Sequence, residues 1–166
     1  MMNYFKKLHF FLIGTNKRLT FLILFAAVFL VSFLFNFLVE IFDLKYSTDN
    51  YRFYDDALSL FFFAVILAPI IETFIFQYLI FKLTKKLSPF IYALLSALAF
   101  GFAHYHKNSS FVEVIDVFLT GLIFAYAYYL YILKNESSFW YVVLLHMFVN
   151  LKIILVYLSL NYFGLW

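Results

Sequence analysis

Long apolar runs separated by short polar connections dominate the chain. Five of these runs are each long enough to cross about 30 Å of hydrocarbon as a helix that rises about 1.5 Å per residue. They cover residues 19–42, 57–83, 88–106, 111–133 and 138–162. Their apolar residues are continuous and do not alternate with polar ones, which excludes transmembrane β-strands. The pattern therefore predicts an all-α, polytopic transmembrane bundle with about five membrane-spanning helices.

The sequence outside these runs predicts the domain organisation and the orientation. Residues 1–18 are basic and partly apolar, which is typical of a segment lying at the membrane surface. Residues 19–166 contain no internal repeat or linker and are predicted to form one transmembrane domain, with its functional core at about 57–155. The connection at 43–56 is acidic, as expected of an outside loop. Most basic residues fall in segments that would be inside if the N-terminus is cytoplasmic, so we expect an N-in, C-out topology. These basic residues are Lys6, Lys7, Lys17, Arg18, Lys82, Lys85, Lys86 and Lys134.

Composition supports lipid as the main surrounding of the chain. Hydrophobic residues make up 66% and charged residues 13% of 166 residues, and a soluble domain of this size cannot bury so much apolar surface. The basic residues form no stripe of the kind that nucleic acid binding requires, so membrane lipid is the expected partner. Without cysteine, the chain has no disulfide, thiolate nucleophile or cysteine-ligated metal.

One carboxylate stands out in this apolar background. Glu72 is the only charged residue of the run 57–83 before Lys82 is reached. An ionisable side chain inside lipid is energetically expensive and usually has a partner or a function. Pro69 lies three residues earlier and is expected to kink the helix, because proline removes a backbone hydrogen bond. Glu72 is therefore the leading candidate for a functional residue.

Two histidines and an amide are the candidate companions of this carboxylate. His104 lies near the end of one apolar run, and His146 and Asn150 lie one helical turn apart in another. A buried carboxylate with imidazoles and an amide can activate water and stabilise an oxyanion during acyl hydrolysis. One glutamate and two histidines can equally ligate a catalytic zinc ion, so the residues alone leave both chemistries open.

Other polar residues have plainer explanations. A histidine near a helix end is often interfacial, and His106 would face away from His104. Asp116 can extend its carboxylate to the interface. Lys152 can reach the interface or pair with Asp116 or Glu72.

Three short motifs resemble those of the CPBP intramembrane proteases, a family of CAAX-processing and bacteriocin-processing enzymes also called the ABI family. The family's first motif, two adjacent glutamates followed four residues later by an arginine and usually preceded by Ala-Pro, resembles Ala-Pro-Ile-Ile-Glu-Thr-Phe-Ile-Phe-Gln at 68–77. Its Phe-x-x-x-His motif resembles Phe100 and His104, and its His-x-x-x-Asn motif resembles His146 and Asn150. The resemblance covers about residues 57–155, with each motif on a separate apolar run.

The chain departs from the first motif at two positions. Thr73 replaces the second glutamate and Gln77 replaces the arginine. These positions are one helical turn apart, where the family's residues could form an ion pair. Because both have become neutral together, we expect a Thr73–Gln77 pair that satisfies its own hydrogen bonds and supports Glu72, with Phe100 as a further supporting residue.

The resemblance implies a glutamate-dependent intramembrane endopeptidase acting on a membrane-associated peptide or protein. It implies that Glu72 and His104 activate water and that His146 and Asn150 stabilise the oxyanion. It favours a mechanism without a metal or other cofactor over zinc, and a location in the bacterial inner membrane.

Two other functions compete with this one. A non-catalytic scaffold or immunity protein could retain the same fold, as the departures at Thr73 and Gln77 would allow. A small proton-coupled transporter could use Glu72 as its titrating group, but the absence of a repeat argues against a standard transporter.

The predicted helix ends raise a geometric difficulty for a common site. His104 would lie near the outer end of its helix, whereas Glu72 lies 15 residues, or about 22 Å, along its own helix from the same side. A common site requires the Glu72 carboxylate to lie close to both histidines. A kink at Pro69 or a change in the helix ends would bring them together.

Overall fold

The chain is described by a computed structural model that covers residues 2–42, 57–105 and 111–162. Its helices are α1 (Met2–Gly14), α2 (Lys17–Ile41), α3 (residues 57–84), α4 (Pro89–Ala103), α5 (Phe111–Leu133) and α6 (Ser138–Tyr162). No strand occurs within the described ranges. The predicted all-α bundle is therefore confirmed, and the predicted bounds of its five apolar helices agree with α2 to α6 to within three residues. The acidic connection and His106 lie outside the described residues.

Polar residues in the connections determine where two helices begin. The Asn16 side chain accepts a hydrogen bond from the backbone N–H of Leu19 at 2.9 Å, and Ser88 accepts one from Ile91 at 3.3 Å. Each bond satisfies a backbone donor that has no partner within the first turn of a helix. Pro89 follows Ser88 at the start of α4, where its missing N–H costs nothing.

Four helices of the described residues are long and apolar enough to cross a membrane. They are α2, Leu58–Thr84 of α3, α5 and Ser138–Leu155 of α6. The fifth apolar helix, α4, has only 15 residues and ends three residues earlier than predicted. At about 1.5 Å per residue it is about 22 Å long, which is shorter than the hydrocarbon layer. The bundle is therefore built from four long helices, with α4 as a shorter helix packed among them.

The basic N-terminal segment forms a helix that is attached to the end of α5. Leu12 is buried, and Lys134 Nζ donates to the backbone carbonyls of Ile13, at 2.8 Å, and Thr15. These carbonyls lie at the C-terminal end of α1, where they have no helical partner and where a cation is favourable. The placement of this segment at the membrane surface stays a prediction.

The core lies mainly around α5, which contacts α1, α2, α4 and α6. α4 and α5 approach closely because small residues face each other between them. A Cβ added at Gly121 would lie 3.1 Å from the ring of Phe100 and 3.2 Å from the Cα of Ala97. Small residues permit this kind of backbone approach between membrane helices.

α3 is an irregular helix around Glu72. Its segments Phe61–Leu67 and Thr73–Leu79 are π-helical, and the short segment Ala68–Glu72 between them is α-helical. π-Helical turns inside α-helices are rare and occur frequently at functional sites. The helix thus changes register near Pro69, and the predicted kink of its axis stays a prediction.

Candidate active site

The structure brings Glu72 together with both candidate histidines. Glu72 Oε2 lies 3.6 Å from His104 Nε2 and 3.6 Å from His146 Nε2. The three residues come from α3, the end of α4 and α6, which are far apart in sequence. The predicted proximity of these side chains is therefore confirmed.

The short length of α4 resolves the difficulty raised by the predicted helix ends. Measured from the end where α3 meets α4, Glu72 lies 12 residues before Thr84, or about 18 Å, and His104 lies 15 residues after Pro89, or about 22 Å. Because α4 stops at Ala103 while α3 extends well beyond that level, His104 lies at nearly the same depth as Glu72.

The end of α4 also orients the His104 ring. The backbone N–H of His104 donates to Gly101, three residues back, at 3.3 Å, and its Nδ1 lies 2.8 Å from the backbone oxygen of Phe100. A carbonyl oxygen can only accept, so Nδ1 must carry the proton in this bond. In the neutral ring, Nε2 is then an acceptor directed toward Glu72.

Burial separates the two histidines. The His146 side chain is 4% exposed, whereas Glu72 is 23% and His104 is 35% exposed. The His146 ring packs against Phe124 and Phe100, with ring centroids 4.7 Å and 5.7 Å apart. The site therefore has a buried side at His146 and a more accessible side at His104.

Phe100 connects the two histidines through ring contacts. Its ring centroid lies 4.5 Å from that of His104, and it also contacts Phe76 of α3 edge-on at 5.5 Å. Phe100 therefore packs between the imidazoles and α3, a position that suits the supporting role predicted for it.

Asn150 bonds to the backbone of α3. Its Nδ2 donates to the carbonyl oxygen of Ala64 at 2.8 Å. Asn150 lies one turn beyond His146 on α6, so this bond joins the same two helices as the Glu72–His146 contact, eight residues before Glu72 on α3. The structure thus brings Glu72, His104 and His146 together, and it places the Asn150 amide against α3 eight residues before Glu72.

The prediction of a hydrogen bond between the side chains of Thr73 and Gln77 is wrong. Both residues are fully buried, but Thr73 Oγ1 and both side-chain polar atoms of Gln77 have no hydrogen-bond partner among the described residues. The π-helical geometry of Thr73–Leu79 explains why the expected α-helical pairing does not carry over, since its wider turns change how residues four apart face each other.

The second π-helical segment is supported by two α4 residues that were not among the predicted site residues. Ser96 Oγ donates to the Phe76 carbonyl at 2.8 Å, and Tyr92 Oη donates to the Gln77 carbonyl at 3.4 Å. Their spacing of four residues in an otherwise apolar helix was a signal that both face a polar partner.

Two further charged residues considered from the sequence, Asp116 and Lys152, lie on α5 and α6. Asp116 is buried, which contradicts the expectation that its carboxylate extends outward. Lys152 interacts electrostatically with Asp116, and its Nζ lies 4.9 Å from the centroid of the Phe29 ring. Of the two carboxylates considered from the sequence as partners of Lys152, Asp116 is thus the one whose charge acts on it.

The donor geometry around Glu72 bears on metal binding. Across residues 2–42, 57–105 and 111–162, no group of three or more His, Cys, Asp and Glu side chains is arranged to hold a metal ion. The two imidazole Nε2 atoms instead both face the same glutamate oxygen. The expectation of a reaction without a metal stays a proposal.

The fold and the site define a membrane-embedded centre built from one glutamate and two histidines. Residues 55–152 match the family described as type II CAAX prenyl endopeptidase Rce1-like. This match spans more than half of the chain, so the chain belongs to the Rce1-like family, which confirms the resemblance to the CPBP proteases. The family's activity is that of a peptidase, a class of hydrolase. No curated protein and no solved structure matches the chain.

Proposed function

We propose that the protein is a glutamate-dependent intramembrane endopeptidase that hydrolyses peptide bonds of a membrane-associated peptide or protein. The observation that supports this most is the approach of two histidine nitrogens from different helices to one oxygen of Glu72. A buried ionisable cluster of this kind is costly in lipid and indicates function rather than packing. The family's peptidase activity supports the same reaction class.

The orientation of His104 suits water activation. With Nδ1 bonded to the Phe100 carbonyl, both His104 Nε2 and the Glu72 carboxylate can accept a hydrogen bond. A water molecule can donate one hydrogen to each acceptor, which directs its oxygen lone pairs toward a substrate carbonyl. As the water oxygen bonds to the carbonyl carbon, Glu72 takes the water's proton and later gives it to the leaving amine while the C–N bond breaks.

His146 is in position to stabilise the tetrahedral intermediate. Its Nε2 faces the same reaction centre from the buried side, and an N–H there can donate to the developing oxyanion. Asn150 contributes a second donor through the N–H that it does not use on Ala64. Donors held in a water-poor environment stabilise such charge more strongly than they would in water.

The proposed cellular setting rests on the predicted topology and on the family resemblance. We propose that the protein lies in a bacterial inner membrane with its N-terminus in the cytoplasm and that lipid surrounds its outer face. The substrate is a membrane-associated peptide or protein, and roles in peptide maturation or bacteriocin immunity fit this class. The reaction uses no metal ion or other cofactor.

Replacement of Glu72 by glutamine tests this proposal. Purified protein is reconstituted in phosphatidylethanolamine–phosphatidylglycerol vesicles with quenched fluorescent peptides, one set with an apolar membrane segment and one with a farnesylated CAAX end. We expect Glu72→Gln to reduce cleavage by about 10²–10⁴-fold, because glutamine cannot accept the water's proton. Glu40→Gln, an exposed glutamate of α2, is the matched control and should leave the rate unchanged.

Two results would contradict the proposal. Cleavage by Glu72→Gln at the wild-type rate would show that Glu72 is not the general base. Inhibition by 1,10-phenanthroline, with recovery on adding zinc, would show that the reaction requires a metal.

A non-catalytic scaffold or immunity function is the second candidate, and the neutral residues at Thr73 and Gln77 favour it. The same variant discriminates between the two. If the protein acts as a scaffold, Glu72→Gln will insert stably and keep the cellular phenotype of the wild type.

A further inference from the structure

Pro69 interrupts the hydrogen-bonding pattern of α3. In the π-helical segment before it, the backbone N–H of Ala68 donates to the carbonyl of Phe63, five residues back. The next donor in this register would be residue 69, which would bond to Ala64. Proline has no N–H, so the π-helical pattern cannot continue and the Ala64 carbonyl has no π-register donor. Its α-register donor would be Ala68, which is already bonded to Phe63.

A side chain from another helix supplies the missing hydrogen. Asn150 Nδ2 of α6 donates to the Ala64 oxygen at 2.8 Å, a good distance for an N–H···O bond. A carbonyl left unsatisfied in an apolar environment costs free energy, which gives this bond a structural role. Pro69 and Asn150 do not bond to each other, but they are linked through the Ala64 carbonyl: the first lacks the hydrogen that the second supplies.

This bond is connected to the candidate active site through both helices. Glu72 follows Pro69 by three residues on α3, and His146 precedes Asn150 by one turn on α6. The Ala64–Asn150 bond therefore joins the same two helices as the 3.6 Å contact between Glu72 and His146, eight residues before Glu72 on α3.

We propose that Asn150 is a positioning residue whose amide replaces the backbone hydrogen that Pro69 lacks, and thereby holds Glu72 in place opposite His146. One N–H of the amide is occupied by the Ala64 carbonyl, so Asn150 has this role in addition to any contact with the oxyanion. The bond between the helices does not depend on the proposed function; only its consequence for catalysis rests on that function.

A double-mutant cycle of Pro69→Ala and Asn150→Ala tests the proposal. Alanine at position 69 restores a backbone N–H that can bond to Ala64, so the amide of Asn150 becomes dispensable for this bond. Hydrogen exchange of peptides covering residues 61–74 is measured in detergent, together with the labelling rate of Glu72 by dicyclohexylcarbodiimide. Neither measurement needs a substrate. Asn36→Ala, an exposed asparagine of α2, is the control.

We expect Asn150→Ala alone to raise exchange in residues 61–74 and to change Glu72 labelling several-fold. In the Pro69→Ala background both effects should largely disappear. For the quenched peptides, Asn150→Ala should lower kcat by up to about 100-fold with little change in KM, since a displacement of about 1 Å can have this effect. Part of this loss should be recovered in the double variant.

The opposite results would overturn the proposal. Exchange in residues 61–74 that does not respond to Asn150→Ala, or that rises equally in both backgrounds, would show that the bond does not replace the Pro69 hydrogen. An equal loss of kcat in both backgrounds would show that Asn150 acts only on the oxyanion.

If Pro69→Ala does not fold, Pro69→Ser supplies the same N–H. Failure of the proposed function would appear separately, as an active Glu72→Gln variant, and would leave the exchange result valid.

Discussion

At the scale of single residues, the site is organised by backbone carbonyls that lack helical partners. His104 orients its ring by donating to the Phe100 carbonyl at the end of α4, and Asn150 donates to the Ala64 carbonyl before Pro69. In both cases an irregular helix leaves an acceptor that a side chain can use. The polar residues around Glu72 are therefore positioned by departures from regular helix geometry.

Thr73 presents the opposite case, because its buried hydroxyl has no partner among the described residues. Thr73→Val keeps the shape and removes the unsatisfied group, so we expect the free energy of unfolding in detergent to rise by about 1 kcal/mol. Thr20 is the matched control: it is equally buried, but its hydroxyl donates to the Asn16 carbonyl at 3.0 Å. Thr20→Val should lower the free energy of unfolding by about 0.5–1.5 kcal/mol.

Thermal unfolding of both variants in the same detergent provides the measurement. A lower melting temperature for Thr73→Val than for the wild type would show that the hydroxyl bonds to water or a ligand in solution.

At the scale of helices, the length of α4 and its close packing on α5 decide where His104 lies. α4 ends at the level of Glu72, and its approach to α5 depends on the absence of side chains at Gly101 and Gly121. Because Phe100 contacts both the Gly121 position and the His104 ring, this packing is connected directly to the site.

Gly121→Ala tests the importance of this packing. The added Cβ would lie 3.1–3.2 Å from Phe100 and from the backbone of Ala97, so α4 must shift away from α5. We expect a loss of about 1–3 kcal/mol in the free energy of unfolding, as is typical of overpacked cores. Cleavage of the quenched peptides should also fall, because His104 moves with α4.

Gly14→Ala is the matched control for this variant. A Cβ at Gly14 would meet nothing within 4 Å, so the melting temperature and the cleavage rate should stay close to those of the wild type. If Gly121→Ala behaves like Gly14→Ala, the close α4–α5 contact is not needed for stability or activity.

At the scale of the whole molecule, the charges at one end of the bundle are consistent with the predicted orientation. Lys17 Nζ pairs with Glu136 Oε1 at 3.1 Å, and Lys134 bonds to the end of α1. These contacts bring the α1–α2 and α5–α6 connections together. Basic residues gathered at one end of a membrane protein favour a cytoplasmic location for that end.

The predicted topology can be measured with single cysteines, because the natural chain has none. Lys86→Cys, in the α3–α4 connection, should react with a membrane-impermeant maleimide only after cell lysis. Asn50→Cys, in the acidic connection, should react in intact cells. The reverse pattern would show that the N-terminus lies outside.

The amino-acid sequence by itself determined the class of fold and the helix positions, and it indicated which residues are candidates for the site. Continuous apolar runs allow few structures in lipid, because every backbone polar group must be satisfied within the chain. The isolated charge of Glu72 and the spacing of His146 and Asn150 are likewise local features that can be read directly from the chain.

Only the tertiary structure decided how these residues meet. The approach of His104 and His146 to one oxygen of Glu72, and the bond from Asn150 to Ala64, are contacts between helices. Such contacts depend on the packing of residues far apart in sequence, as when Asn150 supplies the Ala64 carbonyl with the hydrogen that Pro69 lacks. Local sequence patterns do not specify these contacts, so the packing that places His104 beside Glu72 could not be read from the sequence.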